Sequence, residues 1–277
     1  GFFYDIYDKM RIFRNNLDAG IVWIDNVMNP VTDTSLGVVR ANMIDVINYL
    51  DSRQRNDNVV FFSLNSAWHL VIPYLMREAF DEVFEVLEEM VKKKKIKHYG
   101  VSVEKVEEGL KAMEYPGVST VQIIFNMFRQ RPAELFFDVA KKKNIGIIIR
   151  VPLASGLLSG KMTKDTNFPK NDHRNYNRKG HSFDVGETFA GVPFEIGLHA
   201  VEKLKKIKPD TLSMSQFALK WILMHDAIST VIPGGKHNAQ VEDNTNASEL
   251  PKLSTEVMKK IERVYVDYIK PHVHQRW

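Results

Sequence analysis

Short apolar runs alternate with longer segments of helical periodicity over most of the chain. The runs predict strands near residues 21, 59, 97, 120, 146 and 229. Apolar positions recurring every three or four residues predict helices over 9–19, 40–54, 81–94, 104–113, 132–143, 194–206, 213–224, 237–246 and 254–266. Such alternation, with short connections, predicts a parallel sheet. Over one continuous domain, residues 1–277, it favours an α/β fold of the closed (β/α)8 TIM-barrel type.

Two segments interrupt the alternation. Residues 65–80 mix apolar and special residues without a period, and we expect a loop over the end of the second strand, which can include a short helix. Residues 162–193 form a polar excursion that includes the charged stretch 172–179. Loops of this length without structure of their own are uncommon and are often functional.

The residue totals exclude several classes of function. The chain has no cysteine, which excludes disulfides, thiolate catalysis and zinc–sulfur sites and favours a reducing, cytoplasmic location. No apolar run approaches the ~20 residues of a membrane span, and no signal peptide is visible. A net charge of +4 does not by itself indicate nucleic acid, and the run 92–95 of four lysines is expected to be a solvated helix end.

The strand over residues 145–150 leads into a turn that suits an anion. Pro152 ends the strand pattern, Ser155 and Gly156 leave backbone N–H groups uncovered, and Lys161 adds a positive charge. Such a turn is a candidate anion cradle, although glycine and proline also mark ordinary turns.

A second turn of this kind follows the last predicted strand. Residues 233–236, Pro-Gly-Gly-Lys, lead directly into a helix whose N-terminus adds orphan N–H groups and a positive dipole end. Gln240 and Asn244 lie four residues apart on that helix and can hydrogen-bond a flat polar ring. Considered by itself, this segment is explained equally well as a surface turn with ordinary helix capping. Two such turns at two strand ends favour a nucleotide.

With these turns in place, the chain resembles the aldo-keto reductase family. The segments that carry the resemblance are Asp18–Asp25, Lys95–Ser102, Val121–Asn126, Arg150–Lys161, Phe217–Ile222 and Val231–Gly235, with Gln240 and Asn244. The resemblance implies a (β/α)8 barrel that binds NADP(H) in an extended form. The residues implied at the nicotinamide are Ser102, Gln122 and Phe125, with Phe125 or the neighbouring strand-end residue stacking on the ring. Those implied along the pyrophosphate are Leu153, Ser155 and Gly156. Those implied at the adenosine end are Gly234, Gly235, Lys236, Gln240 and Asn244, with Lys236 facing the 2′-phosphate.

The catalytic half departs from the family pattern of Tyr, Lys, Asp and His. Asp25 matches the Asp, but Pro30 stands at the Tyr position and Asn65 at the His position. No helix–strand unit that could carry the Lys fits between Asp25 and Arg40. Either segments are missing before Gly1 and after Asp25, or the first half of the barrel is remodelled. Asn65 can still donate a hydrogen bond to a carbonyl oxygen.

The family resemblance and the departures from its catalytic pattern leave two candidate functions. The first is an NADP(H)-dependent oxidoreductase that reduces an aldehyde or ketone by hydride transfer, acting on a small-molecule carbonyl or alcohol without a metal. The alternative is an NADP(H)-binding pseudoenzyme, a regulatory protein or an enzyme of altered chemistry on the same barrel.

Three further features are expected to be structural or peripheral. His272 and His274 are expected to lie in a solvated tail, and His69 is expected to be a loop residue. Trp277 is hypothesised to line the substrate pocket.

Overall fold

The structure, a computed structural model, describes residues 21–24, 59–63 and 73–277. The strands of this part are β1 (Ile21–Ile24), β2 (Val59–Ser63), β3 (His98–Ser102), β4 (Val118–Ile124), β5 (Gly146–Arg150) and β6 (Ile228–Val231). Its helices are α1 (Pro73–Lys92), α2 (Val106–Ala112), α3 (Phe136–Lys142), α4 (His173–Tyr176), α5 (Phe194–Lys205), α6 (Met214–Ile222), α7 (Asn238–Asn246), α8 (Thr255–Val264) and α9 (Lys270–Val273). All six predicted strands are therefore confirmed, whereas the helices predicted over 9–19 and 40–54 lie outside the described residues.

Parallel pairing organises the first of two compact units, which comprises residues 1–103 and 111–121. β1 pairs with β2, and β2 pairs with β3 so that Val59 lies opposite His98. β4 follows β3 in the strand order of this unit. The ring of Phe84 stacks on that of Tyr115, with ring centroids 3.8 Å apart, and so ties α1 to the segment before β4.

The second unit comprises residues 104–110 and 122–277 and holds the end of β4 together with β5 and β6. β5 and β6 are parallel, with a register irregularity between Ile147 and Ile148. Because β5 has a fully buried Ile147 and Ile149, it forms the apolar centre from which the chain emerges at Arg150. The carboxyl ends of both strands lead into the two glycine turns.

Two helix predictions need correction. α1 begins at Pro73, so residues 73–80, predicted as loop, are helical; proline is well suited to a first helical position because its missing N–H has no partner there. The helix predicted to end at 266 continues through a π-helical turn, Tyr265–Ile269, into α9. Among the described residues, no helix is long and apolar enough to cross a membrane. The single-domain assignment stays a prediction.

The expectation of a solvated tail is wrong for His274, and Trp277, hypothesised to form a wall of the substrate pocket, is also packed against the protein. His274 Nδ1 lies 2.8 Å from the Tyr265 hydroxyl, and its Nε2 lies 3.0 Å from a carboxylate oxygen of Glu134. Trp277 is only 4% exposed, and its indole N–H donates to Asp184. Both side chains find hydrogen-bond partners within the second unit, which their position near the end of the sequence does not suggest.

Candidate functional site

A cleft of about 1360 Å³ opens in the second unit beyond the ends of β5 and β6. Its walls come from the turn after β5 (residues 151–161, the first turn), the turn after β6 (residues 232–236, the second turn), α7 and the polar excursion. Eight of the residues implied to hold the cofactor line this cleft: Leu153, Ser155, Gly156, Gly234, Gly235, Lys236, Gln240 and Asn244. The two glycine turns identified in the sequence therefore face one space.

The first turn has a strained backbone. Val151, Ala154 and Ser155 have φ angles of 51°, 47° and 55°, and Gly156 follows at 90°. A β-branched residue such as Val151 is a genuine outlier at positive φ. Each such residue costs about 1–3 kcal/mol and persists only where the surroundings fix it, as they commonly do at ligand sites.

The Ser155 hydroxyl fixes this turn to the polar excursion. Its Oγ donates to the carbonyl oxygen of Glu187 at 3.0 Å and accepts from the backbone N–H of Phe189 at 3.1 Å. The hydroxyl proton is thus committed within the protein. A ligand would meet the backbone of the first turn, and Ser155 would serve by shaping it.

A positive charge from the excursion lies beside the same turn. Arg174, on α4, lines the cleft and donates from Nη1 to the Ser155 carbonyl oxygen at 3.4 Å. Asp172 anchors it by accepting from its Nε and Nη2 at 2.9 and 2.6 Å, and these hydrogen bonds lower the pKa of Asp172 to about 2. The guanidinium also lies 4.6 Å from the ring centre of Phe168. Arg174 is therefore held in place as a cation on the cleft wall.

The second turn is built differently. The Lys236 N–H donates to the Gln240 side chain at 2.7 Å, and the Asn244 amide donates to the Gly234 carbonyl oxygen at 3.3 Å. α7 buries none of its side chains. A Cβ added to Gly234 would meet no atom within 4 Å, and no positive φ requires glycine there. Neither packing nor backbone conformation in the described part of the chain explains why position 234 is glycine.

The comparison with known families decides the identity of the fold. The model of the family described as "Aldo/keto reductase family" matches residues 14–266, which is most of the chain. The chain belongs to the aldo/keto reductase family.

Individual relatives of this aldo/keto reductase are distant. It is 23% identical over 189 residues to the "Uncharacterized oxidoreductase YqkF" of Bacillus subtilis (68% of this chain, 56% of the relative). It is 27% identical over 185 residues to the "Aldo-keto reductase yakc [NADP(+)]" of Schizosaccharomyces pombe (65% of this chain, 52% of the relative). The chain thus spans about half the length of the curated relatives it matches.

Solved structures support the fold class. The holo form of the aldo-keto reductase AKR11C1 from Bacillus halodurans matches with a TM-score of 0.62 at 18% identity, over 92% of this chain and 75% of that one. The glycerol dehydrogenase AKR11B4 from Gluconobacter oxydans gives 0.64 at 22%, over 83% and 65%. With the parallel strands, these matches confirm the predicted α/β class and its (β/α)8 barrel type.

The remaining predicted site residues of the aldo/keto reductase lie elsewhere. Ser102 is buried at the end of β3 in the first unit, and Gln122 is buried in β4. Asp25 and Asn65, the catalytic predictions, lie outside the described residues, as do Pro30 and His69. Their roles stay predictions.

The surroundings of Phe125 do not favour the nicotinamide-stacking role that the family resemblance implies for it. Its side chain is fully buried, and its ring stacks on Trp221 at 4.9 Å while Phe137 and His225 present their edges. Because these rings enclose it within the second unit, a nicotinamide could not stack there without displacing them. Phe125 therefore acts as a core residue in this structure.

Arg174 and Asp172 are functional candidates that the sequence reasoning did not single out. The length of the excursion predicts a functional segment but does not point to any residue within it. The available signal was local, since Asp172 caps the short helix α4 and stands two residues before an arginine. Among the described residues, no group of three or more His, Asp or Glu side chains could hold a metal ion.

Proposed function

We propose that this aldo/keto reductase binds NADP(H) in the cleft and reduces an aldehyde or ketone by hydride transfer. The observation that carries the proposal is the convergence of the two glycine turns on one cleft with three cations, Lys161, Arg174 and Lys236, on its wall. An extended dinucleotide has phosphates that need such charges at separate points. The reduced nicotinamide would supply the hydride.

The pyrophosphate would lie against the first turn. Arg174 would neutralise its charge with a planar guanidinium already oriented by Asp172, which reduces the ordering needed on binding. Lys161 would add a second positive charge at the same wall. The strained backbone of residues 151–156 would bring main-chain groups close to the phosphate oxygens.

The adenosine end would lie against the second turn and α7. Lys236 is exposed at the start of this helix, where its ammonium group and the positive end of the helix dipole both favour a 2′-phosphate. This supports NADP(H) over NAD(H). Gln240 and Asn244 would serve chiefly by holding the glycine turn open, because their amides bond its backbone.

The proposed reduction of a carbonyl substrate is supported by the sequence alone. Asn65 would donate a hydrogen bond to the substrate oxygen, and Asp25 would assist at the neighbouring strand end. The family's Tyr and Lys have no counterparts at Pro30 and between Asp25 and Arg40.

This absence favours a specific alternative, a protein of the same fold that binds NADP(H) without turning over. One experiment separates the two. NADPH and NADH affinities are measured by fluorescence titration, and NADPH oxidation at 340 nm is then followed with a broad panel of aldehydes and ketones. Submicromolar to micromolar NADPH binding with turnover supports the oxidoreductase. Equal binding without any turnover supports the alternative, and no binding of either nucleotide refutes both.

A further inference from the structure

A buried ionic network lies beneath the first turn. Arg150, the last residue of β5, donates to Glu104 at 2.7 Å and also bonds Glu187. Arg129 donates to the Glu104 carbonyl oxygen at 3.3 Å, and its guanidinium lies 4.0 Å from the ring centre of Trp277. Arg150, Glu104 and Arg129 are all buried. Three buried charged groups thus meet a fourth, Glu187, whose side chain is 30% exposed.

Such a network is a poor source of stability. Removing charges from water costs several kcal/mol per ion, and well-packed apolar residues often replace buried ion pairs without loss. Its value must therefore lie in the geometry that it imposes. The adjacent geometry is the strained backbone that begins at Val151, directly after Arg150.

The network and Ser155 hold the strained turn from both ends. Arg150, before the turn, bonds the Glu187 carboxylate, while Ser155, within it, donates to the Glu187 carbonyl oxygen and accepts from Phe189. Both anchors converge on the short helical turn Val185–Glu187. Glu104 fixes the other side of the Arg150 guanidinium. A turn strained at three residues needs this kind of double restraint to persist.

We propose that Arg150 is a positioning residue of the cleft, which Glu104 and Glu187 orient so that the first turn is preformed to receive the pyrophosphate. The proposal rests on the proposed NADP(H) site and adds to it how the receiving backbone is held. It makes a spatial claim: loss of Arg150 should disturb the first turn and leave the second turn, at the adenosine end, as it is.

The test compares two ligands on the full chain. NADPH spans the whole cleft, whereas 2′-AMP carries only the adenosine and its 2′-phosphate. Affinities for both are measured by titration calorimetry in wild type, Arg150→Met and Arg150→Lys. We expect Arg150→Met to weaken NADPH binding about tenfold and 2′-AMP binding by less than about twofold, with partial recovery in Arg150→Lys.

A matched control is Arg131→Met. Arg131 is also an arginine paired with a glutamate, Glu107, in the same unit, but the pair is solvent-exposed and outside the cleft wall. Its NADPH affinity should equal that of wild type. Because Arg150→Met removes the closer of the two cations beside the buried Glu104, the double variant Arg150→Met/Glu104→Gln is measured alongside, and thermal melting shows which variants fold.

The outcomes are separable. If wild type binds NADPH and a folded Arg150 variant, single or double, binds it equally well, the positioning role is refuted while the proposed function stands. If NADPH and 2′-AMP weaken by the same factor, the residue is only structural and the proposal is again refuted. If wild type does not bind NADPH, the proposed function fails and this inference fails with it.

Discussion

The two glycine turns of the cleft look alike in sequence and are built on different physical principles. The first is preformed: it has positive φ at several residues, internal anchors at both ends and a buried ionic network beneath it. The second has none of these features among its described residues. It is exposed, it is held by two side-chain amides from α7, and Gly234 faces open space.

The difference shows that glycine has two separate reasons to occur in a binding turn. At Gly156, φ is 90° and an added Cβ would approach Met162 to 3.1 Å, so glycine serves the protein's own conformation. At Gly234 nothing in the described part of the structure requires glycine, which is what the proposed close approach of the cofactor predicts. We therefore expect changes in the first turn to affect stability and binding together, and changes in the second to affect binding alone.

The largest expected effect is on the pH dependence of stability, and it is caused by Glu104 in the buried ionic network beneath the first turn. Burial raises the pKa of Glu104 from its ordinary 4.5 to about 7, outweighing the attraction of Arg150 and Arg129. The folded protein then holds a proton that the unfolded chain releases, so the stability from this group is complete below pH 4.5 and is lost as the pH rises through 7. Relative to Glu104→Gln, wild type should lose on the order of 3 kcal/mol of unfolding free energy between pH 4.5 and 8.

Urea unfolding at several pH values measures this difference. Glu107→Gln is the control, because Arg131 lowers the pKa of the Glu107 carboxyl and the sign of its contribution is opposite. Parallel pH profiles for wild type and Glu104→Gln would show that Glu104 titrates normally. In that case the network beneath the first turn would not be desolvated as described.

The next effect distinguishes the two glycines directly. Gly156→Ala should lower the free energy of unfolding by about 2 kcal/mol, because alanine must adopt a positive φ. Gly234→Ala should leave it unchanged or raise it slightly, since Cβ meets no atom and the unfolded chain loses freedom. Thermal and urea unfolding of the two variants checks this. Equal destabilisation by both substitutions would remove the distinction between the turns.

The sequence predicted the parts of the fold that local chemistry encodes. Strand runs of four to seven residues, helical periods and glycine turns are all read within about ten residues, and β1 to β6 were found where expected. The ion pair between Asp172 and Arg174 could also have been predicted from the local sequence, since the two residues are only two positions apart.

Partners far apart along the chain could not be predicted in this way. Arg150 and Glu104 are 46 residues apart, and which carboxylate neutralises a buried arginine depends on how strand ends approach in three dimensions. Trp277 lies 93 residues beyond Asp184, its hydrogen-bond partner. The packing of Phe125 against Trp221 could not be predicted for a related reason, because an apolar residue at a strand end can pack against either a ligand or a helix layer.

A smaller effect, confined to binding, is expected at the second turn. Lys236→Met removes the charge proposed to face the 2′-phosphate and should weaken NADPH binding about tenfold, the value of one charge-assisted hydrogen bond. NADH binding should not change, because NADH lacks that phosphate. Stability should be unaffected, since Lys236 is exposed. A parallel loss of affinity for both nucleotides would mean that Lys236 contacts another part of the ligand.

The smallest effect concerns the amides that hold the second turn. Gln240→Ala frees the Lys236 N–H, and Asn244→Ala frees the Gly234 carbonyl oxygen; both groups are exposed and can bond water instead. We expect each variant to lose at most about 0.5 kcal/mol of stability and to bind NADPH about threefold more weakly, because the turn is less well ordered before binding. Asn246→Ala, on the same helix and outside the cleft lining, is the control. If Gln240→Ala instead weakened NADPH binding a hundredfold, the loss would be too large for an effect on the ordering of the turn. The Gln240 amide would then contact the ligand directly, and its proposed role in holding the second turn would be wrong.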